Sequence, residues 1–209
     1  MTENGSLGTA TRRRMLLGAG AGATAALAGC LGGTASGADN VPVRGDPDAD
    51  VTLEVYEDMG CPACQNYVQN VFPSVRNQYL DSGQIRYEHR DFVVTGPAAR
   101  QAANAAREVL ERADDEAFWA FVTAVFDNQN RLGTETPGLF GELAGGIGVE
   151  EQSAVTEAGE SLAHDSEVDA DIQRGESLGV SSTPSFVING STVDGSNLGP
   201  EIDQALAEQ

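Results

Sequence analysis

Two cysteines with two residues between them, Cys61 and Cys64, carry the clearest chemical signal in the chain. They close the stretch Glu57-Asp58-Met59-Gly60-Cys61-Pro62-Ala63-Cys64. An alternating run (Val51, Leu53, Val55, with Tyr56) leads into it. After it, Cys64, Tyr67/Val68, Val71/Phe72, Val75 and Tyr79 recur at three-to-four spacing, so the unit reads as strand, Cys-x-x-Cys, helix. Cys61 falls at or just before the first helical turn, where unpaired amide N–H groups and the helix dipole favour a thiolate. Cys64, one turn further, falls on the buried side. An exposed, acidified thiol backed by a second thiol is a two-electron redox site. The outer sulfur attacks a partner's disulfide and the inner one resolves the mixed species.

Other chemistry fits these residues less well. Half of a zinc site would also use Cys-x-x-Cys, but a closed site needs four ligands. Only Cys30, His89 and His164 remain to supply them, none paired at ligand spacing. A metal-binding role and an inert structural disulfide are the alternatives, and no metal or cofactor is expected. Val55 and Glu54 should point to opposite faces of the first strand, with Glu54 toward solvent; a half-buried proton acceptor is the alternative for Glu54. Glu57 and Asp58 should disfavour the Cys61 thiolate by like charge. His89 shares a strand face with Ile85 and Tyr87 and reads as a hydrogen-bonded core histidine. His164 reads as solvated, and Trp119 as core. Arg90 and Asp91 read as ties between the second strand and the segment that follows.

The elements that would position the cysteines can be traced along the chain. A helix interrupted at Pro73 follows the motif. Residues 84–94 alternate, with Ile85, Tyr87 and His89 against Arg86, Glu88 and Arg90, and form the second strand. From Pro97 to about Leu178 the pattern is helical throughout. Ala102, Ala106, Val109, Leu110 and Ala113 make one apolar face, and Phe118, Trp119, Val122, Val125 and Phe126 another. Shorter helices are expected over 139–147, 150–162 and 165–178. The strand pattern returns at Ser185-Phe186-Val187-Ile188-Asn189, and Asn189-Gly190 signals a hairpin turn. A short strand around Thr192-Val193 and a helix over 200–207 close the chain. The order is βαβ, a helical block at about 97–178, then ββα: an α/β fold with one central mixed sheet.

The N-terminal part is of another kind. Thr11-Arg12-Arg13-Arg14-Met15-Leu16 resembles a twin-arginine export motif, and an Ala/Gly-rich apolar run follows it to Gly29. That run is shorter than the about 20 apolar residues a spanning helix needs. Leu27-Ala28-Gly29-Cys30 resembles a lipobox, which implies cleavage before Cys30 and a lipid on its sulfur. Residues 1–29 are thus expected to be a signal peptide, 30–48 a flexible tether, and 49–209 the folded domain. The whole chain carries a formal charge of −20, and all twelve of its basic residues are arginine. Such a surface excludes nucleic acid, which needs clustered cations against phosphate. The composition resembles that of proteins from extreme halophiles, where salt screens the self-repulsion of an acidic surface.

Four segments together resemble the DsbA-like thiol–disulfide oxidoreductases of the thioredoxin superfamily. They are Tyr56 to Cys64, Arg90-Asp91-Phe92, Phe118-Trp119 with Asn128-Gln129, and Gly179-Val180-Ser181-Ser182-Thr183-Pro184-Ser185-Phe186-Val187-Ile188-Asn189-Gly190. The resemblance implies a thioredoxin fold with a helical insertion and a redox-active disulfide Cys61–Cys64. It also implies a cis Thr183–Pro184 bond facing that pair, with the Thr183 backbone open to a bound polypeptide. Many relatives carry a buried acid six residues before the first cysteine; here that position is Val55. The partners implied are exported polypeptides and a membrane redox protein for recycling, at a lipid-anchored extracytoplasmic site. Oxidation of exported proteins is the expected activity. A reductase, an isomerase, a dedicated electron donor to a membrane partner, or a tethered binding protein are the alternatives.

Overall fold

The computed structural model describes residues 41–209. The expected signal peptide and lipobox, with Cys30, lie outside the described residues. Five strands form one mixed sheet in the order β1-β3-β2-β4-β5. They are β1 Val43–Gly45, β2 Thr52–Glu57, β3 Arg86–Asp91, β4 Ser185–Ile188 and β5 Ser191–Val193. β2 is central. It runs parallel to β3, with Val55 opposite His89, and antiparallel to β4, with Val55 opposite Phe186. β1 is not the tether expected over 30–48. It adds antiparallel to β3, Val43 opposite Glu88, and so makes β3 an interior strand. A three-residue strand is too short to show a period, and pairing to β3 is what defines it.

Between β2 and β3 the chain is helical from α1 (Pro62–Asn66) through α2 (Phe72–Val75) to Leu80. The expected interruption at Pro73 does not occur. Instead the turn before it, Tyr67–Val71, widens, and the N–H of Phe72 reaches back five residues to Tyr67 O. A regular helix would drive the Pro73 ring into the carbonyl four residues earlier, and a π turn relieves this. The helix therefore continues and keeps Cys64, Tyr67, Val75 and Tyr79 on the sheet.

The insertion comprises α3 (Pro97–Arg112), α4 (Asp115–Asp127), α5 (Gly138–Gly146), α6 (Gln152–Ser161) and α7 (Asp165–Ser177). The apolar stripe of α3 buries Ala102, Ala106 and Val109, and α4 buries Phe118, Trp119, Val122, Val125 and Phe126. Trp119 is more than core of the insertion. It packs on Tyr87 of β3, and Arg44 of β1 lies over its ring at 4.6 Å. β4 and β5 join at Asn189-Gly190, both with positive φ (47° and 81°), as a tight hairpin requires. The last helix, α8 (Leu198–Ala207), returns Ile202 to the core. Helices cover both faces of the central strands, so charged residues on either face are enclosed.

Candidate active site

β2 delivers the chain to the motif, and three sets of hydrogen bonds fix the loop there. Asp58, 1 % exposed, spends its carboxylate on four donors. Oδ1 accepts from Gly60 N at 2.7 Å and Thr95 Oγ1 at 2.8 Å, and Oδ2 from Val94 N at 2.6 Å and Thr95 N at 2.7 Å. A Cβ on Gly60 would meet Thr95 Oγ1 at 2.3 Å, so the approach of these two loops requires glycine. From the insertion, Gln129 Nε2 donates to Met59 O at 2.9 Å and Cys61 O at 3.0 Å. Gln65 Nε2 in turn donates to Phe126 O at 2.5 Å. Gln129 was visible in the sequence only as part of a resemblance. Its spacing from the cysteines gives no hint of the clamp.

Cys61 is the N-cap of α1, in extended conformation, and Pro62 opens the helix. Its Sγ donates to Thr183 O at 3.5 Å, in the loop that holds the cis Thr183–Pro184 bond. Cys64 Sγ accepts from Asp58 N at 3.5 Å. Both side chains are free thiols. Cys61 is recessed rather than exposed, at 9 %, and Cys64 is fully buried. Burial alone would raise the Cys61 pKa. The Thr183 side chain, the N–H groups of Cys64 and Ala63, and the Cys64 thiol, which stabilise the thiolate by hydrogen bonding, together outweigh it and bring the thiol below its ordinary value. For Cys64, burial first and the charge of Glu57 second push the thiol far up. The like-charge penalty expected at Cys61 is instead a leading cause at Cys64, where it comes from the buried Glu57.

Behind the cysteines lies a chain of buried charges. His89, 1 % exposed, has Nδ1 3.3 Å from Glu57 Oε2 and Nε2 3.1 Å from Asp91 Oδ1. Burial lowers its pKa, but the hydrogen bonds and charges of Asp91 and Glu57 win and raise it to about 9. The expected core histidine is therefore an imidazolium at neutral pH. Arg107 of α3 donates to Asp91 Oδ2 at 2.8 Å and also to Asp171 of α7. Asp171 accepts from Arg90 Nη1 at 2.9 Å, and Arg90 Nη2 donates to Glu88 at 2.6 Å. Arg90 and Asp91 do tie the second strand to the insertion. Glu54 is not solvated: at 3 % exposure it holds Arg174 of α7 in a two-pronged pair at 2.6 and 2.7 Å. His164 is not solvated either. It is buried with Nε2 2.6 Å from Glu108, which also accepts from Arg112. Glu108, Glu111 and His164 lie close enough to hold a cation, but Arg112 already serves Glu108 there.

A mixed five-stranded sheet, a helical insertion, and an unequal thiol pair facing a cis-proline loop define a thiol–disulfide exchange protein of the DsbA type. The chain belongs to the thioredoxin family, whose model, described as Thioredoxin, matches residues 38–208, and within it to the DsbA-like thiol–disulfide oxidoreductases. It is 29 % identical to disulfide bond formation protein D of Bacillus subtilis over 150 residues, 71 % of this chain and 67 % of that protein. The matches to relatives from Bacillus cereus and Bacillus anthracis span 40 % of those proteins' length. Among solved structures, oxidised BdbD of Bacillus subtilis superposes with a TM-score of 0.74 at 26 % identity, over 81 % of this chain and 94 % of that one. The fold also matches Chlamydia trachomatis DsbA, with a TM-score of 0.69 at 21 % identity, over 80 % and 90 % of the two chains. Among the described residues, no helix is long and apolar enough to cross a membrane.

Proposed function

We propose that this protein oxidises the thiols of exported polypeptides through a disulfide between Cys61 and Cys64. The observation that carries the reading is the inequality of the two thiols: Cys61 is held below its ordinary pKa and Cys64 far above. A substrate thiolate attacks Cys61 Sγ of the disulfide, and Cys64 leaves and takes up a proton. A second substrate thiolate then attacks the substrate sulfur of the mixed disulfide, and Cys61 leaves as a stabilised thiolate. The substrate has lost two electrons and the enzyme has become a dithiol. A stabilised Cys61 thiolate favours the reduced enzyme, which is what makes such a site an oxidant. Thr183 and Pro184 form the shelf on which the polypeptide lies while its sulfur meets Cys61. A membrane redox protein takes the electrons away. Residues 1–29 direct export, and a lipid on Cys30 holds the domain at the outer face of the membrane.

Trapping tests the assignment. Cys64→Ala should accumulate mixed disulfides with exported proteins, and Cys61→Ala almost none; equal trapping by both would defeat this division of roles. Equilibration with glutathione in molar salt tests the direction. The superfamily spans about −270 to −120 mV, and an oxidase belongs near the upper end. A value near the lower end would make the protein a reductase.

A further inference from the structure

Pro62 has no N–H, so the peptide that joins it to Cys61 can be held by hydrogen bonds only through its oxygen. That oxygen, Cys61 O, accepts from Gln65 N at 3.1 Å as the helix begins and from Gln129 Nε2 at 3.0 Å. The second hydrogen of the same amide goes to Met59 O at 2.9 Å. The Met59–Gly60 peptide is thereby gripped at both ends, since Asp58 Oδ1 holds its N–H. Cys61 N is held in turn by Asp58 O at 2.9 Å. Between them Asp58 and Gln129 hold every peptide from Met59 to Pro62. Gln129 is itself firmly based. It opens the turn Gln129–Arg131, whose Arg131 donates to Asn128 Oδ1 at 3.2 Å and pairs with Glu135 and Glu142. Gln65 on Phe126 O, and Gln69 Nε2 on Asp127 Oδ1 at 3.2 Å, tie the end of α4 to the cysteine helix. Through Gln129 the insertion bonds to the backbone of the motif itself.

We propose that Gln129 is a positioning residue for disulfide exchange, setting the backbone at Cys61 so that its Sγ stays within reach of the N–H groups of Ala63 and Cys64. The inference rests on the reading of Cys61 and Cys64 as the redox pair. Cys61 stands at φ −84° and ψ 121°. The direction of a side chain follows from its backbone angles, and ψ here is the tilt of the Cys61–Pro62 peptide whose oxygen Gln129 holds. At this setting Sγ lies 3.5 Å from Thr183 O, and the nearby N–H groups of Ala63 and Cys64 favour its thiolate. Without the two amide donors, Met59 O and Cys61 O turn to find water and Sγ leaves those N–H groups. The thiolate is then less favoured. Because that thiolate stabilises the reduced enzyme, the site becomes a weaker oxidant. The insertion thus tunes the redox site as well as covering the sheet.

The test compares two variants of the full-length protein. Gln129→Met keeps the length and apolar stem of the side chain but has no donor. Gln69→Met cuts another tie between the same two helices and touches no backbone of the motif. Two quantities are read in molar salt: the equilibrium of the Cys61–Cys64 disulfide with glutathione, and the pH profile of Cys61 alkylation by iodoacetamide, located by mass spectrometry. Gln129→Met should make the disulfide about tenfold harder for glutathione to reduce, the worth of one hydrogen bond and about 30 mV in potential. Its alkylation profile should move to higher pH. Gln69→Met should leave both quantities at their wild-type values. Either quantity unchanged in Gln129→Met, or equal shifts in Gln69→Met, overturns the proposal, since a merely structural tie would alter stability and not the thiol. Should Gln129→Met not fold, Gln129→Ala is judged by the same signs. A wild-type pair that reaches no equilibrium with glutathione would instead refute the redox-pair reading itself.

Discussion

Raising the pH should unfasten His89, and the structure sets the size of the effect. Its folded pKa is about 9, against an ordinary value of 6.5. Because the folded value is the higher one, the stability His89 contributes is fully present below about pH 6.5 and is lost as pH rises through about 9. Between those limits the native state holds one more proton than the unfolded chain. Stability therefore falls by about 1.4 kcal/mol per pH unit, and by on the order of 3 kcal/mol in all. For a domain with about 5–15 kcal/mol in total, that is a large fraction. With a urea m-value of about 1–3 kcal/mol/M, the midpoint should drop by about 1–3 M across the range. The measurement is urea unfolding at fixed salt, at intervals from pH 6 to 9, for the wild type and His89→Gln. The protein is used with the Cys61–Cys64 pair oxidised, since a Cys61 thiol held below its ordinary value would add a slope of opposite sign. His89→Gln should be less stable at pH 6 and should lose the slope. A flat wild-type profile from pH 6.5 to 8, or an unchanged slope in His89→Gln, would refute the account of a buried imidazolium between Glu57 and Asp91.

Asp171→Asn removes the charge that Arg90 and Arg107 share, and the buried pairs it breaks should cost about 3–5 kcal/mol. At about 2–4 °C per kcal/mol for a domain of this size, calorimetry should find Tm lower by about 6–20 °C. Gly60→Ala should cost about 1–3 kcal/mol by overpacking and slow disulfide exchange, since the new methyl meets Thr95 Oγ1. Adding Thr95→Ala, which deletes that hydroxyl, should recover part of the loss in the same urea titration. Full-length wild type should sediment with membranes, and Cys30→Ser should appear in the soluble fraction or remain unprocessed. A single acyl chain binds only marginally, so two-chain modification is the form expected.

Much of the fold could be read along the chain, because the signals involved are local. The alternation before Cys61, the helical period after it, the five insertion helices and the positive-φ pair Asn189-Gly190 each depend on neighbours a few residues away. The redox reading is local as well: two thiols one helical turn apart state their chemistry in four residues. Burial of charge is not local. Alternation in β3 placed Glu88 and Arg90 on the polar face, and in β2 placed Glu54 there. That face is closed by α7, whose Asp171 and Arg174 come from some 80 and 120 residues away. Periodicity tells which residues share a face but not whether that face meets water. His164 escaped for the same reason, its partner Glu108 lying on another helix. The length of β1 and the turn widened around Pro73 depended on pairing and packing that no window contains. The sequence determined that two cysteines would stand at a helix start beside a strand. Only the tertiary structure decided that Glu57 would burden Cys64, because that depends on which side of the motif its carboxylate is buried.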